Sequence, residues 1–449
     1  MNKRSLGTAL RTAALAATVL LGACVGDGDQ VITAVQPTPN GGELFVRYVA
    51  MGNSLTAGYQ SGGLNDSLQV RAYPVLLAQR AGADFESPLV ARPGCPRPFA
   101  APLGATGRIG TADSCFRINN PRVINNVAVP GARVRDLFQF PAGPLASLNT
   151  LLIGPRTQVR AMIEARPTFV SLWIGNNDAL EASVSGVLGP RAAGADSTLT
   201  PLAAFQSRLN VVVDSIKFAN PRGAMLVGVV NAIEAAPILQ PGAYFFLARD
   251  PATGRFQGKP VNPNCSPLNI LGQLNPLAFN MVSFQIVGDA NFPEINCDPA
   301  AYPAGDPRRG VYLLDQGEIL LISQRIAQYN AAIRAAAEAN DWLYVDPNLI
   351  LRPFLAEETE VVIGGQTYRL HQRLRKCQDL RDATTPAQIQ AAVLTSCPVT
   401  GPTAAPNFFG SLMSFDGVHP STEGHRVLAG RFASRINQRY GTTLSTSIS

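Results

Sequence analysis

Long apolar runs and clusters of basic residues are both absent from this 449-residue sequence, and tryptophan is scarce. No segment reaches the roughly 20 apolar residues that a membrane-spanning helix needs, so we expect the body of the chain to be soluble. Because the sequence has no run of lysine and arginine, we expect no basic surface that would bind nucleic acid. Because only two tryptophans are present, few indole rings are available to stack on sugars, which disfavours polysaccharide ligands.

The N-terminus has the layout of a secretory signal. Basic residues precede a short apolar run at Ala13–Leu21, and small residues close that run in Leu21-Gly22-Ala23-Cys24. We therefore predict that residues 1–23 are a signal peptide that is removed on export. Their removal takes away three positive charges and no negative ones, which lowers the formal net charge from +6 to +3.

The segment Leu21-Gly22-Ala23-Cys24 also resembles the bacterial lipobox. This resemblance implies that Cys24 is lipidated, becomes the new N-terminus and anchors the protein to a membrane through its acyl chains. Val25 follows the cysteine where an aspartate would indicate inner-membrane retention, so the lipoprotein pattern implies the outer membrane. Either the periplasmic or the outer face is possible. The alternative is an ordinary cleaved signal in which Cys24 is incidental.

Six cysteines follow Cys24, and an even number in an exported chain favours disulfides over metal ligands. They form three couples, each close in sequence and separated from the next couple. We predict that each couple pairs locally; the alternative is a set of free buried thiols. The predicted disulfides are Cys95–Cys115, Cys265–Cys297 and Cys377–Cys397.

Strand-like apolar runs alternate with helical patterns from residue 44 onward. Such alternation predicts an α/β fold with a mainly parallel sheet that helices cover on both faces. The predicted strands are Leu44–Met51, Val123–Val129, Thr168–Ile174, Ala224–Val230 and Trp342–Val345.

Helical periodicity is clearest near the C-terminal half of the chain. The last predicted helix begins near Ser421 or Thr422 and ends before Gly441. Helical patterns also cover Arg156–Ala165 and Leu202–Phe218. One apolar stripe consists of Ile322, Ile326, Tyr329, Ile333 and Ala337, and the last helix is expected to bury Leu428, Phe432 and Ile436.

Composition predicts one domain with long insertions. Residues 24–43 are rich in glycine, aspartate, proline and threonine and indicate a flexible tether. Residues 44–441 form the predicted domain, and 442–449 a C-terminal tail. A sheet of this kind needs roughly 200 residues, so the surplus indicates insertions. These lie at about 82–120, 236–315 and 355–410, each stapled by one cysteine couple.

Four short polar or glycine-containing segments stand at the ends of predicted elements. Three of them follow strands, where ligands gather in open α/β sheets, so these segments can converge although they are far apart in sequence. The fourth precedes the last helix. The segments are Gly52-Asn53-Ser54-Leu55, Asn126-Val127-Ala128-Val129-Pro130-Gly131-Ala132, Gly175-Asn176-Asn177-Asp178 and Asp416-Gly417-Val418-His419-Pro420.

The four segments, in this order, resemble the motif blocks of the SGNH/GDSL hydrolase family, which centre on serine, glycine, asparagine and histidine. One block alone is weakly specific, whereas four blocks in order at element boundaries are specific. The resemblance covers most of residues 44–235 and 318–440. It implies a flavodoxin-like three-layer sandwich and a carboxylic ester hydrolase that needs no cofactor and no metal. Asn53 departs from the family's usual aspartate, but an amide can largely imitate its turn hydrogen bonds.

Transferred residue by residue, the resemblance makes Ser54 the nucleophile, His419 its general base and Asp416 the group that orients the imidazole. It also implies an oxyanion hole made of the backbone N–H groups of Ser54 and Gly131 with the side-chain amide of Asn177. The alternative for Asp416 and His419 is a metal-ligand pair or a helix cap, but no third ligand cluster is visible. Gly131 could instead be a plain turn glycine.

The remaining polar residues of these segments have structural interpretations. Asn177 could form an Asx turn, and Asn176 is the neighbour with which a bare motif match could confuse it. We expect Asp178 to cap the following turn, His371 to lie on the surface and His425 to serve in packing or capping.

Three function classes stay open. The leading one is a lipid-anchored esterase or lipase, including lysophospholipase-like activity, that acts on a small-molecule or lipid ester. The second is deacetylation or acyl transfer on envelope polysaccharide. The third is a non-catalytic binding lipoprotein, which the intact set of site residues disfavours. An apolar stretch within 236–315 predicts either a cap that favours acyl chains or a satellite core. The natural substrate and the oligomeric state do not follow from the sequence.

Overall fold

Four parallel strands form the central sheet of the computed structural model. The structure describes residues 41–190, 196–355, 358–363, 366–371, 377, 385, 387–389, 397–398 and 408–447. The predicted signal peptide 1–23, Cys24 and nearly all of the tether 24–43 therefore lie outside the described residues, as does most of the insertion 355–410. The strands are β1 Tyr48–Gly52, β2 Phe169–Trp173, β3 Gly223–Val227, β4 Leu239–Pro241, β5 Arg255–Phe256, β6 Lys259–Pro260, β7 Met281–Ser283, β8 Leu313–Leu314, β9 Leu343–Val345, β10 Glu358–Ile363 and β11 Gln366–His371.

The helices lie between the strands of the central sheet and after it. Short 3₁₀ turns occur at Gly42–Phe45, Pro102–Gly104, Val134–Leu137, Pro263–Cys265 and Pro276–Phe279. The α-helices are α1 Ser54–Ala57, α2 Asp66–Gln69, α3 Tyr73–Ala81, α4 Pro144–Ile153, α5 Gln158–Glu164, α6 Asn177–Ser185, α7 Leu202–Ala219, α8 Ala232–Ala235, α9 Gly242–Leu247, α10 Gln285–Gly288, α11 Gln316–Ala339, α12 Pro347–Leu355 and α13 Thr422–Tyr440.

The order of the central sheet is β1-β2-β3-β9, and every pair is parallel. A fifth extended segment lies beside β1, where Asn126 bridges Ala50 in parallel and Val127 N–H donates to the Ala50 carbonyl. Numbered along the chain, the five pieces therefore lie in the order 2-1-3-4-5, which is the flavodoxin-like order. This confirms the predicted fold class.

The sequence prediction of a full strand at Val123–Val129 is wrong, since this segment makes only a single bridge to the sheet. The side chain of Asn125 is the physical reason. Its Nδ2 group donates a hydrogen bond to the Tyr48 carbonyl, and its backbone N–H donates to the Glu86 carbonyl and not to β1. The first predicted strand is also shorter than expected, because Gly42–Phe45 forms a 3₁₀ turn.

Strand side chains alternate between two hydrophobic cores, as a sheet buried on both faces requires. Val49 and Met51 point into one core, which α5, α7 and α11 cover. Tyr48 and Ala50 point into the other, which α3 and α13 cover. The molecule thus has the predicted three layers, helices on a sheet on helices.

Two predicted helices agree closely with the structure. The buried residues of α11 are the five of the predicted stripe, Ile322, Ile326, Tyr329, Ile333 and Ala337. Helix α13 begins after Ser421, whose side chain accepts from Gly424 N–H, and ends at Gly441 in the left-handed conformation. It buries Leu428, Phe432 and Ile436 as predicted.

All three predicted disulfides are present, each closing a sequence-local loop: Cys95–Cys115, Cys265–Cys297 and Cys377–Cys397. The insertion 236–315 contains a small antiparallel sheet of order β4-β7-β8, which the sequence did not reveal. Its aromatic residues pack on one another, with Phe284 in contact with Tyr244, Phe245 and Phe256. Among the described residues, no helix combines the length and the apolar character needed to cross a bilayer.

Candidate active site

Strand β1 ends in a backbone conformation that favours glycine. Gly52 has a φ of +153°, and a Cβ added there would lie 2.4 Å from the Trp173 carbonyl oxygen. The buried Asn53 then caps the short helix α1, its Oδ1 accepting from Leu55 N–H at 3.1 Å. Ser54 is therefore the first residue of a helix that starts directly at the carboxyl end of a core strand.

Ser54 and His419 meet across 365 positions of the chain, with Ser54 Oγ 2.8 Å from His419 Nε2. The other ring nitrogen of His419, Nδ1, lies 2.9 Å from Asp416 Oδ2. Because Asp416 and His419 stand on one tight turn before α13, their relative geometry is set locally. The structure thus brings three of the predicted residues into one hydrogen-bonded chain.

Asp416 is buried, and its carboxylate is fully hydrogen-bonded. Its Oδ2 accepts from Gly62 N–H at 2.6 Å, and its Oδ1 accepts from the backbone N–H groups of Val418 and His419 at 2.9 and 2.8 Å. Burial alone would raise the pKa of this carboxyl group. The positive charge of a protonated His419 and these hydrogen bonds outweigh burial and lower the pKa to about 2.

The predicted glycine and asparagine segments are tied to the end of β1 and to each other. Val129 N–H donates to the Gly52 carbonyl, and Asn177 Nδ2 donates to the Ala132 carbonyl at 2.9 Å. Gly131, with a φ of +86°, lies between these two contacts. Within the described part of the chain, the backbone N–H groups of Ser54 and Gly131 donate no hydrogen bond.

Asp178 is a structural residue, but its side chain binds residues distant in the chain and not the turn after Asn177 that we expected it to cap. Its Oδ2 accepts from Val134 N–H at 3.1 Å and its Oδ1 accepts from Thr200 Oγ1 at 2.9 Å. These bonds fasten helix α6, which begins with Asn177, to the turn that follows Gly131. Complete burial raises the pKa of Asp178 to about 6, despite the hydrogen bonds that oppose the shift.

An apolar cavity opens at Ser54 and His419, and about 80 Å³ of it is accessible to the centre of a water molecule. Its walls come from both layers of helices next to the sheet, and its polar lining is sparse. Of the insertion 236–315, only Ala236 lines it. The lining includes Trp173, Asn177, Leu180, Ala232, Ile326, Leu351, Leu412, Val427 and Leu428.

A second, wider groove also borders His419, and about 940 Å³ of it is accessible to the centre of a water molecule. The first insertion provides Phe99, Leu103 and Arg108 to its walls, and the insertion 236–315 provides Phe284, Gln285 and Asp289 among others. The second insertion therefore borders the site mainly through this groove and contributes little to the apolar cavity. Its buried apolar residues, among them Tyr244, Phe245 and Phe284, are continuous with the core on one face of the central sheet. Its surface lines this groove.

His425 is fully buried, as expected of a packing residue. Its Nδ1 accepts from Tyr73 N–H at 3.2 Å, while its Nε2 has no hydrogen-bond partner in the described part of the chain. Burial, followed by the charge of His419, lowers its pKa to about 3, so it is neutral at ordinary pH. His371 ends strand β11, but its side chain is outside what the structure describes.

Sequence reasoning missed two residues that shape the site. The buried Gln158 binds both polar backbone groups of Gly52, and no local motif marks it. The ring of Tyr59 lies 4.9 Å from that of His419, and burial with the nearby Asp416 charge raises its pKa to about 12. Its position five residues after Ser54 gave only a weak hint. Among the described residues, no group of three or more potential ligands forms a metal site.

The sequence matches the family described as GDSL-like lipase/acylhydrolase over residues 48–432. The chain belongs to this family, and it is a carboxylic ester hydrolase. No curated protein sequence matches it significantly.

Several solved structures are similar to the chain at low sequence identity. A catalytic mutant of an acetylxylan esterase from Geobacillus stearothermophilus is 14% identical and has a TM-score of 0.33, with 89% of this chain and 96% of that one covered. Phospholipase A1 from Streptomyces albidoflavus is 14% identical and has a TM-score of 0.32, with 87% of this chain and 98% of that one covered. The extracellular lipase from Streptomyces rimosus is 14% identical and has a TM-score of 0.28, with 84% of this chain and 94% of that one covered.

Proposed function

We propose that Ser54 is the nucleophile of the ester hydrolysis, with His419 as general base and Asp416 as the residue that orients and stabilises the imidazole. The observation that carries this proposal is the hydrogen-bonded chain from Ser54 Oγ through His419 to Asp416, with distances of 2.8 and 2.9 Å. A serine hydroxyl is a weak nucleophile until a base within hydrogen-bond reach takes its proton.

The proposed reaction runs in two balanced steps. Ser54 Oγ bonds to the acyl carbon while its proton moves to His419, the bond from that carbon to the alcohol oxygen breaks, and His419 returns the proton to the leaving alcohol. A water molecule then repeats the sequence on the acyl-enzyme, releases the carboxylic acid and restores Ser54. Asp416, whose pKa is about 2, stays ionised throughout.

The oxyanion of each tetrahedral intermediate requires donors that no other group occupies. The backbone N–H groups of Ser54 and Gly131 meet this condition within the described part of the chain. Asn177 Nδ2 uses one N–H on the Ala132 carbonyl, so a second N–H remains for the substrate. We assign these three groups to the oxyanion hole.

The apolar cavity beside Ser54 supports an acyl chain, not an acetyl group, as the acid part of the substrate. Its lining is almost entirely apolar, as is typical of sites that bind the apolar part of a ligand. An acetyl group would leave most of this apolar surface against water, whereas a longer chain gains burial with each methylene, worth about 0.8 kcal/mol. We therefore place esters of medium or long acyl chains first among the substrates.

A panel of nitrophenyl esters from acetyl to long chains tests the proposal. We expect kcat/KM to rise with chain length, and Ser54→Ala to abolish turnover of every ester. Ser215→Ala, which removes an exposed hydroxyl on α7, is the matched control and is expected to leave the rates unchanged. A clear preference for acetyl would contradict the acyl-chain assignment and favour deacetylation of polysaccharide.

We also propose that the protein is exported and held in the outer membrane by a lipid on Cys24. The support is the sequence alone, namely the basic start, the short apolar run and Leu21-Gly22-Ala23-Cys24. Metabolic labelling with a fatty acid is expected to mark the native chain and not Cys24→Ser. An unlabelled native chain that is secreted in soluble form would overturn the anchor.

A further inference from the structure

The two cavities meet at the proposed base. Among the described residues, Val418 and His419 line both the apolar cavity and the wider groove. Ser54 lines only the apolar cavity. In ester hydrolysis His419 must hand its proton to the oxygen of the leaving alcohol, so this oxygen lies against the imidazole. With the acyl chain in the apolar cavity, the alcohol part of the substrate extends into the groove.

The positively charged side chain of Arg108 lines this groove. The guanidinium of Arg108 lies 4.3 Å from the centre of the Phe99 ring. Its Nη1 donates to the Gly62 carbonyl at 2.7 Å and to the Arg97 carbonyl. The loop that bears it is closed by the Cys95–Cys115 disulfide. The charged group is therefore held in place before any substrate arrives, which reduces the entropy lost on binding.

Arg108 lacks an anionic partner. In the part of the chain that the structure describes, no carboxylate lies within ion-pair distance, and its Nε and Nη2 groups donate no hydrogen bond. Asp113 is close enough to interact electrostatically but is bound to Arg97. Two donors of a fixed guanidinium are thus left for a ligand.

The carboxylates that line the same groove are already occupied. Asp416 accepts hydrogen bonds from Gly62 and His419. Asp289 accepts from the Tyr312 hydroxyl at 3.0 Å and from Asn291. The carboxylates of both aspartates therefore accept hydrogen bonds, whereas the Nε and Nη2 groups of Arg108 have no acceptor in the described part of the chain.

We propose that Arg108 binds an anionic group, a phosphate or a carboxylate, on the alcohol part of the ester substrate. A guanidinium presents paired donors that match the oxygens of either anion. The anionic group takes no part in bond making, because only the bond between the acyl carbon and the alcohol oxygen breaks. This inference rests on the proposed function and adds the class of alcohol to it.

Three esters with one acyl chain test the inference: a 1-acylglycerol, its 3-phosphate and the corresponding acylglycerate. We expect wild-type kcat/KM to be about 10- to 100-fold higher for at least one of the two anionic esters than for the neutral one. Whether the phosphate or the carboxylate gains more identifies the anion. Arg108→Gln is expected to remove this advantage while it leaves the neutral ester within about threefold, and Arg108→Lys to restore part of it.

Arg255→Gln is the matched control. Arg255 also donates to a backbone carbonyl, that of Gly258, but it is exposed and lines neither cavity. We expect it to leave all three rates unchanged. Equal wild-type rates on the three esters, or an equal loss on all three in Arg108→Gln, would overturn the inference and leave the proposed function intact. Activity that persists in Ser54→Ala would instead overturn the proposed function.

A measurement on the wild-type protein covers the case in which Arg108→Gln fails to fold. Glycerol 3-phosphate is expected to inhibit hydrolysis of the neutral ester competitively, whereas glycerol at the same concentration is not. Inhibition by neither compound, or by both equally, would contradict an anion subsite in the groove.

Discussion

The buried side chain of Gln158 binds both polar backbone groups of Gly52. Its Oε1 accepts from Gly52 N–H at 3.0 Å, and its Nε2 donates to the Gly52 carbonyl at 2.8 Å. Gly52 is the last residue of β1 and lies two residues before Ser54. The side-chain amide of Gln158, on helix α5, therefore fixes the backbone position from which the proposed nucleophile projects. No hydrophobic contact could replace these two bonds, because both backbone groups are buried.

Gln158→Met keeps the length of the side chain and removes both hydrogen bonds. The variant leaves Gly52 N–H without the Gln158 acceptor, whereas the Gly52 carbonyl keeps its bond from Val129 N–H. A buried group left without a partner costs about 1–3 kcal/mol, so we expect the free energy of unfolding to fall by this amount and kcat to fall with it, as measured by urea denaturation and ester hydrolysis. Gln79→Met, at an exposed position on α3, is the control. A Gln158→Met protein as stable and active as the wild type would show that this clamp is dispensable.

Asp416→Asn tests the orienting role of the carboxylate. An asparagine oxygen can still accept from the backbone N–H groups of Val418 and His419, so the turn is expected to fold. The amide cannot stabilise the charged imidazole, and we expect kcat to fall by about 10⁴-fold with little change in KM. Asp214→Asn, on the exposed face of α7, should leave kcat unchanged. A loss below tenfold in Asp416→Asn would argue against the proposed chain of three residues.

His425 makes stability depend on pH. Its pKa is about 3 in the folded protein and about 6.5 when exposed. The unfolded chain therefore binds a proton between these values and the folded chain does not, so stability falls as the pH is lowered through this window. From pH 7 to pH 4 we expect the wild type to lose about 3 kcal/mol more than His425→Gln does. If the free energies of unfolding of the two proteins change in parallel with pH, the buried, neutral state of His425 is contradicted.

Leu180, one turn into helix α6, lines the apolar cavity. Leu180→Trp should fill part of it and lower kcat/KM for long-chain esters by more than about 10-fold while acetyl esters change little. Leu180→Ala should shift the preference towards longer chains. Leu320→Trp, at an exposed position of α11, is the control. If both Leu180 variants keep the wild-type chain-length profile, the acyl chain lies elsewhere.

Much of the fold could be predicted from local patterns. The helical stripe from Ile322 to Ala337 was correct because a helix that packs on a sheet repeats its buried positions at a fixed spacing. The convergence of Ser54 and Asn177 was predictable because parallel strands end at one edge, whereas His419 was expected beside them only from the family resemblance. The pairing of cysteines followed from their proximity in sequence.

Other features depend on contacts that sequence patterns do not encode. The strand predicted at Val123–Val129 failed because the Asn125 side chain competes for a carbonyl of β1. Apolar composition could not tell whether the insertion 236–315 covers an acyl pocket or packs on itself. Arg108 and Gln158 belong to no local motif, and their roles arise only when segments distant in the chain meet.

Active-site labelling tests the central claim most directly. The purified protein is treated with a fluorophosphonate probe, and the modified peptide is mapped by mass spectrometry. We predict a single adduct on Ser54, present in the native chain, strongly reduced in His419→Ala and absent in Ser54→Ala. An adduct on another residue, or a folded native chain that hydrolyses esters but takes up no probe, would contradict the account.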